Sequence, residues 1–96
     1  MVDQKSADQR NSQAMYQLGV CYSNGRGCDQ NDNKAVEWFE KSASLGYSHS
    51  MNMLGDINRD GELGLTKDLN NAREWYTKAA AQGHVAAQQS LDELDA

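Results

Sequence analysis

Ala14-Met15-Tyr16-Gln17-Leu18-Gly19, with Trp38-Phe39 further along, returns as Ser50-Met51-Asn52-Met53-Leu54-Gly55 with Trp75-Tyr76 behind it. The second copy carries one extra residue, within Gly61-Glu62-Leu63-Gly64. With that insertion allowed for, all 8 glycines pair: Gly19 with Gly55, Gly25 with Gly61, Gly27 with Gly64 and Gly46 with Gly83. Both tryptophans pair, as do Asn33 with Asn70, Ala35 with Ala72, Glu37 with Glu74, Lys41 with Lys78 and Ala43 with Ala80. A third copy opens at Ala87, reaches Leu91 and stops. The chain is therefore an internal duplication, and the fold must be one in which a repeated unit stacks on itself.

The spacing inside each copy predicts two helices. Ala35, Trp38, Phe39, Ser42 and Ala43 form one apolar stripe of a helix, and Ala72, Trp75, Tyr76, Ala79 and Ala80 repeat its phase. A helix before each is marked by Ala14, Leu18, Cys21 and Tyr22, and by Ser50, Leu54 and Ile57. Gly25 and Gly61 end these first helices, and Gly46 and Gly83 end the second ones. Asp29 or Asp32, and Thr66 or Asp68, stand where the second helices should be capped. Glycine inside a helix costs about 1 kcal/mol relative to alanine. Gly19 and Gly55 therefore imply close approach of another helix, with Trp38 and Trp75 expected nearby as core anchors.

These residues resemble the Sel1-like repeat. The first copy carries the resemblance through Ala14 to Gly19, Tyr22, Gly25-Arg26-Gly27, Asp29, Lys34-Ala35, Trp38-Phe39, Lys41, Ala43 and Gly46. The second carries it through Leu54-Gly55, Gly61, Gly64, Asp68, Ala72, Trp75-Tyr76, Lys78-Ala79-Ala80 and Gly83-His84. Asn58 departs from the tyrosine at Tyr22. The resemblance implies an all-α fold, an α-solenoid of antiparallel helix pairs, and a role as an adaptor in protein complexes. The expected division is a first repeat at about 11–48, a second at about 49–85 and a capping helix at about 86–95. That last helix should pack back on the second long helix and turn Asp92, Glu93 and Asp95 to water, keeping the chain a monomer. Polar Met1 to Arg10 reads as a frayed lead-in or as the opening turns of the first helix.

Composition narrows the partner. Of the 96 residues, 39% are hydrophobic and 24% charged, which suits a folded domain rather than a disordered chain. The net charge of −5 argues against nucleic acid, whose phosphates call for clustered Lys and Arg, and against a basic membrane-surface helix. No apolar run approaches the length of a membrane span, so no membrane insertion is expected. The first ten residues contain no hydrophobic signal core, and the compartment stays open.

The chemical motifs are thin. Cys21 and Cys28 align with Ile57 and Leu65, so they read most simply as small buried hydrophobes, with a bridge as the alternative. Asp56, Asn58, Asp60 and Gly61 mimic the start of a calcium loop, yet Lys67 stands where a bidentate acid belongs. His49 and His84 are not repeat equivalents, and no phosphate-binding loop is present. The expectation is no catalysis, no metal and no cofactor.

In helical-repeat solenoids the first helix of each pair lines the concave face. The residues there that turn away from their own partner helix are Gln13, Tyr16, Gln17, Val20, Ser23 and Asn24, then His49, Asn52, Met53, Asp56, Arg59 and Asp60. Tyr16, Val20 and Met53 set apolar surface among polar neighbours, as a docking groove does. The expected function is an adaptor that binds another protein or peptide there. A reading from another class is a bacterial immunity or effector-associated protein that blocks one partner. A hydrolase or a calcium-binding protein has the least support.

Overall fold

The computed structural model describes the backbone of residues 4–95 and the side chains of residues 10–95. Five helices and no strand occur among these residues: α1 (Gln4–Asn24), α2 (Asp32–Ser44), α3 (Ser48–Asp60), α4 (Leu69–Ala81) and α5 (Val85–Asp95). The pairs α1 with α2 and α3 with α4 are the two repeats. Contact of α2 with α3 stacks one pair on the next, and α5 closes over α4. The molecule is a slab of 46 × 32 × 16 Å, as expected of helix pairs laid side by side. α1 already runs through residues 4–10, so those residues are opening turns of the helix; residues 1–3 lie outside the described part.

Equivalent side chains and main-chain groups build both corners. Asn31 caps α2 by accepting from the Lys34 N–H at 3.1 Å, and Asp68 caps α4 by accepting from the Asn71 N–H at 3.1 Å. Asp68 was among the expected caps; in the first repeat Asn31 does the work in place of Asp29 or Asp32. The same two residues donate their own N–H groups back to the preceding helix, Asn31 to the Tyr22 carbonyl and Asp68 to the Asn58 carbonyl. Each loop is thus pinned at both ends. Gly61 ends α3 with φ +71°, a left-handed angle that glycine takes without strain. The departure at Asn58 is absorbed. It is buried, donates to the Leu54 carbonyl at 2.8 Å and accepts from Asn71 Nδ2 at 3.1 Å.

The core corrects the stripe expected from spacing. Ala35, Val36, Phe39, Ser42 and Ala43 are the buried face of α2, and Ala72, Tyr76 and Ala79 that of α4. Trp38 and Trp75 are only half-buried. Each lies under an ammonium from the next turn, Lys41 Nζ 4.6 Å from the Trp38 ring centre and Lys78 Nζ 4.8 Å from that of Trp75. The rings that face the helical glycines are Phe39 and Tyr76. A Cβ on Gly19 would lie 2.6 Å from Phe39 Cδ1, and one on Gly55 2.5 Å from Tyr76 Cε1. Three serines also link α1, α2 and α3. Ser50 Oγ donates to Ser42 Oγ, which donates to the Ser12 carbonyl, and all three serines are buried.

Position in the stack decides which repeated residue is buried. Leu54 is 2% exposed because α3 has α2 on one side and α4 on the other, whereas its equivalent Leu18 is 40% exposed on α1. In α5, Ala87 is fully buried and Leu91 and Leu94 lean on the core, but Val85, its first residue, is 70% exposed. Of the acidic residues expected to face water, Asp95 pairs with Arg73 at 2.9 Å on the surface.

The glycine contacts generate a test. Alanine for Gly19 or Gly55 gains about 1 kcal/mol of helix propensity. Overpacking against a fixed ring costs about 1–3 kcal/mol. We expect net destabilisation, larger at Gly55, because the hydroxyl of Tyr76 is tied to Asp56 and its ring cannot swing aside. Phe39→Ala and Tyr76→Ala should each cost about 3–5 kcal/mol, and Trp38→Ala and Trp75→Ala clearly less. Urea denaturation midpoints of the six variants check this order; tryptophan variants as damaging as the Phe39 and Tyr76 ones would contradict it.

Candidate interaction face

The first helices α1 and α3 carry every residue singled out as a docking position. Gln13, Gln17 and Asn24 are exposed on α1, while Tyr16 and Val20 are half-buried and pack against the core. Ser23 folds back, donating Oγ to the Val20 carbonyl at 2.9 Å. On α3, His49 is exposed, and Asn52, Met53, Asp56 and Arg59 are half-buried. The structure brings the rings of Tyr16 and His49 together; Asp56 is held instead by Tyr76, and Asn24 sits at the far end of α1.

Their meeting point is a ladder of rings. Tyr16 lies 5.6 Å from Tyr47 and 6.3 Å from His49, Tyr47 lies 5.2 Å from His49, and His49 meets His84 edge-on at 4.8 Å between ring centres. Of the ladder, Tyr47 and His49 line a cleft of about 340 Å³, together with Ser12, Gln13 and Gln82. Reading the sequence missed Tyr47 and His84 as face residues, because both lie in the corners rather than on the helical stripe. A signal was present: Tyr47 and His84 are repeat equivalents, each directly after a paired glycine, and both carry an aromatic ring with a polar edge. Burial and His49 hold the His84 imidazole below the usual histidine range. Burial, with Tyr47 and Asp56 nearby, pushes the Tyr16 phenol up.

Beyond the ladder the face turns acidic. Tyr76 donates its hydroxyl to Asp56 Oδ1, and burial with that hydrogen bond pushes the phenol far up. Arg59 donates Nε to Asp60 Oδ1 at 3.1 Å and stands 3.7 Å from Asp56 Oδ1. That hydrogen bond holds the Asp60 carboxyl below its ordinary range. Glu62 is pushed up by burial and by Asp60. Asn52 Oδ1 is shut off from solvent and accepts no hydrogen bond among the described residues. Asp56 and Asn58 lie within α3, not in a loop, and are engaged with Tyr76 and Asn71. No group of three or more His, Cys, Asp or Glu residues able to hold a metal occurs among the described residues. No described helix is long and apolar enough to cross a membrane.

The family model for the Sel1 repeat matches residues 12–47 and again 48–84. The chain is a member of the Sel1 repeat family. Its fold is similar to that of a Sel1 repeat protein from Oxalobacter formigenes, with a TM-score of 0.80 at 36% identity over 85% of this chain and 61% of that one. It is also similar to a protective antigen of uropathogenic Escherichia coli that displays an SLR fold, with a TM-score of 0.74 at 39% identity over 79% of this chain and 16% of that one. In sequence, 52 residues are 40% identical to the ERAD-associated E3 ubiquitin-protein ligase component HRD3A of Arabidopsis thaliana, covering 53% of this chain and 8% of that protein. The chain thus spans less than two thirds of the length of each of these relatives. Sel1 repeats are commonly scaffolds for protein interaction.

The two Sel1 repeats brace their loops differently. The reading of Cys21 and Cys28 as buried free thiols is corrected: both are half-buried and joined as a disulfide, with Cα atoms 6.4 Å apart. In the second repeat Ile57 is a core residue and Leu65 packs against that core. A covalent link thus occupies the place of an apolar contact.

Two outcomes follow for this Sel1 repeat protein. Because the folded chain disfavours the charged form of His84, that contribution to stability is present above the ordinary histidine value of 6.5 and is lost as pH falls through the lower folded value. Urea midpoints should drop as the pH is lowered below neutral, and His84→Gln should flatten the drop. An unchanged slope in that variant would show that other groups cause it. Reduction of the disulfide should cost about 2 kcal/mol, the scale set by closing so short a loop. The double variant Cys21→Ile, Cys28→Leu, which imports the second repeat's contact, should recover much of the loss in reducing buffer.

Proposed function

We propose that this chain is a non-enzymatic adaptor that docks a partner protein or peptide on the concave face formed by its first helices. The observation that carries this reading is the continuous ring ladder from Tyr16 through Tyr47 and His49 to His84. Rings with polar edges supply contact area at little entropy cost and can hydrogen-bond at the same time, which is why they dominate binding surfaces. Half-buried Val20 and Met53 extend the apolar area, and exposed Gln13, Gln17 and His49 offer hydrogen bonds around it. The docking residues are accordingly Gln13, Tyr16, Gln17, Val20, Asn24, His49, Asn52, Met53, Asp56 and Arg59, with Tyr47 and His84 added. The Sel1 repeat family and the ligase-component relative both support a scaffold role.

Site-specific photocrosslinking tests it. A benzophenone amino acid at Gln17 or Met53 should yield a discrete adduct in lysate of the source cell, and the same group at Glu37 or Glu74 on the second helices should not. Tyr16→Ala should weaken recovery of that adduct about tenfold, the loss of a modest hot spot. Adducts formed equally from Glu37 and Glu74 would move the docking site off this face.

A further inference from the structure

We infer that the contact between His49 and His84 makes the docking face acid-sensitive: the ring ladder is closed while both imidazoles are neutral and opens when they are protonated, so that a partner is held at neutral pH and released in acid. The release rests on the adaptor reading above; the opening of the ladder is a property of the chain itself. The two rings meet edge-on with 4.8 Å between their centres. His49 is the second residue of α3, and His84 stands directly before α5, where its carbonyl accepts from the Gln88 N–H at 3.2 Å. Their contact therefore ties the start of α3 to the corner between α4 and α5. It is also the last rung of the ladder that runs through Tyr47 to Tyr16.

Edge-on packing suits neutral rings, the positive edge of one against the negative face of the other. Two imidazolium charges at that separation repel, and 4.8 Å lies inside the screening length of about 8 Å at physiological salt. Both histidines also stand at helix N-termini, His49 at that of α3 and His84 at that of α5, where the free N–H groups oppose a cation. The surroundings do little to offset this. None of the residues lining the adjoining cleft is a carboxylate. From α1, Tyr16 faces His49, and from the corner before α3, Tyr47 does. On α3, Ser48 Oγ lies 3.4 Å from His84 Nδ1. Asp56 favours the charged form of His84, but burial and His49 outweigh it. The ammonium groups of α2 and α4 are held over tryptophan rings, Lys41 on Trp38 and Lys78 on Trp75. The acids of α5, from Asp92 to Asp95, lie at its far end.

The test is an NMR titration of the 96-residue chain from about pH 8 to about pH 4.5, a span that covers histidine protonation. Ring-proton shifts follow the two imidazoles, nuclear Overhauser contacts from His49 to His84 and to Tyr47 follow the ladder, and the indole signals of Trp38 and Trp75 follow the fold. His84 should protonate below the ordinary histidine value of 6.5, and its midpoint should rise in His49→Gln, which removes the neighbouring charge. The ring contacts should vanish in step with His84 protonation while the indole signals stay in place. Ring contacts that persist with both imidazoles protonated, or a His84 midpoint that His49→Gln leaves unmoved, would overturn the inference. Indole signals that collapse together with the ring contacts would also overturn it, because acid would then be unfolding the whole chain. Should His49→Gln fail to fold, the ring-contact and indole arms on the parent chain still decide. With the partner below saturation, adduct from Gln17 and Met53 should fall about tenfold for each pH unit below the His84 midpoint, as linkage to one proton requires. Crosslinks from those positions that ignore pH would leave the adaptor reading standing and remove this one. A ladder that opens in acid with crosslinks only from the second helices would remove the adaptor reading and leave the acid response of the pair.

Discussion

Everything in this fold hangs on two helical glycines meeting two aromatic rings. Phe39 lies on the backbone of α1 at Gly19 and Tyr76 on that of α3 at Gly55, so closely that a methyl group would not fit. The contact sets the distance and rotation between the helices of each pair. It also explains why a helix tolerates glycine there: the propensity lost locally is offset by burial of a large ring. With each pair locked, small residues complete the packing. Ser42 and Ser50 between the pairs, and Ala72, Ala79 and Ala87 towards the end, let neighbouring helices lie close.

The interlock also links the core to the outer face. Tyr76 is buried as a ring, yet its hydroxyl emerges to hold Asp56 on α3. The side chain that fixes the second helix pair therefore also orients an acid on the outer face of α3. Phe39 plays the equivalent part in the first repeat without a hydroxyl, and there Tyr16 packs on it from α1, 5.7 Å between ring centres. The two repeats share one architecture and present different chemistry, phenol and rings in the first, carboxylates and imidazole in the second.

Two repeats and one further helix leave the two ends unlike. α5 covers the α4 stripe, so Ala72, Tyr76 and Ala79 are fully buried, whereas Leu18 on α1 stays substantially exposed. Identical sequence positions thus take different environments solely through their place in the stack, the behaviour of a quasi-one-dimensional fold in which each unit is stabilised by its neighbours.

The sequence by itself determined the repeat, the helix order, the corner glycines and the presence of close helix contacts at Gly19 and Gly55. These are legible because local rules impose them: helical periodicity, left-handed angles and the cost of an interior glycine all act within a few residues. It also marked α1 and α3 as the face to watch. Tertiary structure alone decided which of two adjacent aromatics turns inward. Trp38-Phe39 and Trp75-Tyr76 are adjacent residues about 100° apart around their helices, and the seating of the packed helix decides which ring is buried and which is lysine-covered. It alone joined Cys21 to Cys28 and carried Tyr47 and His84 from two corners into line with Tyr16 and His49. The ring contacts depend on the angle at which one helix pair lies on the next, and that angle is a property of the packed stack rather than of any segment within it.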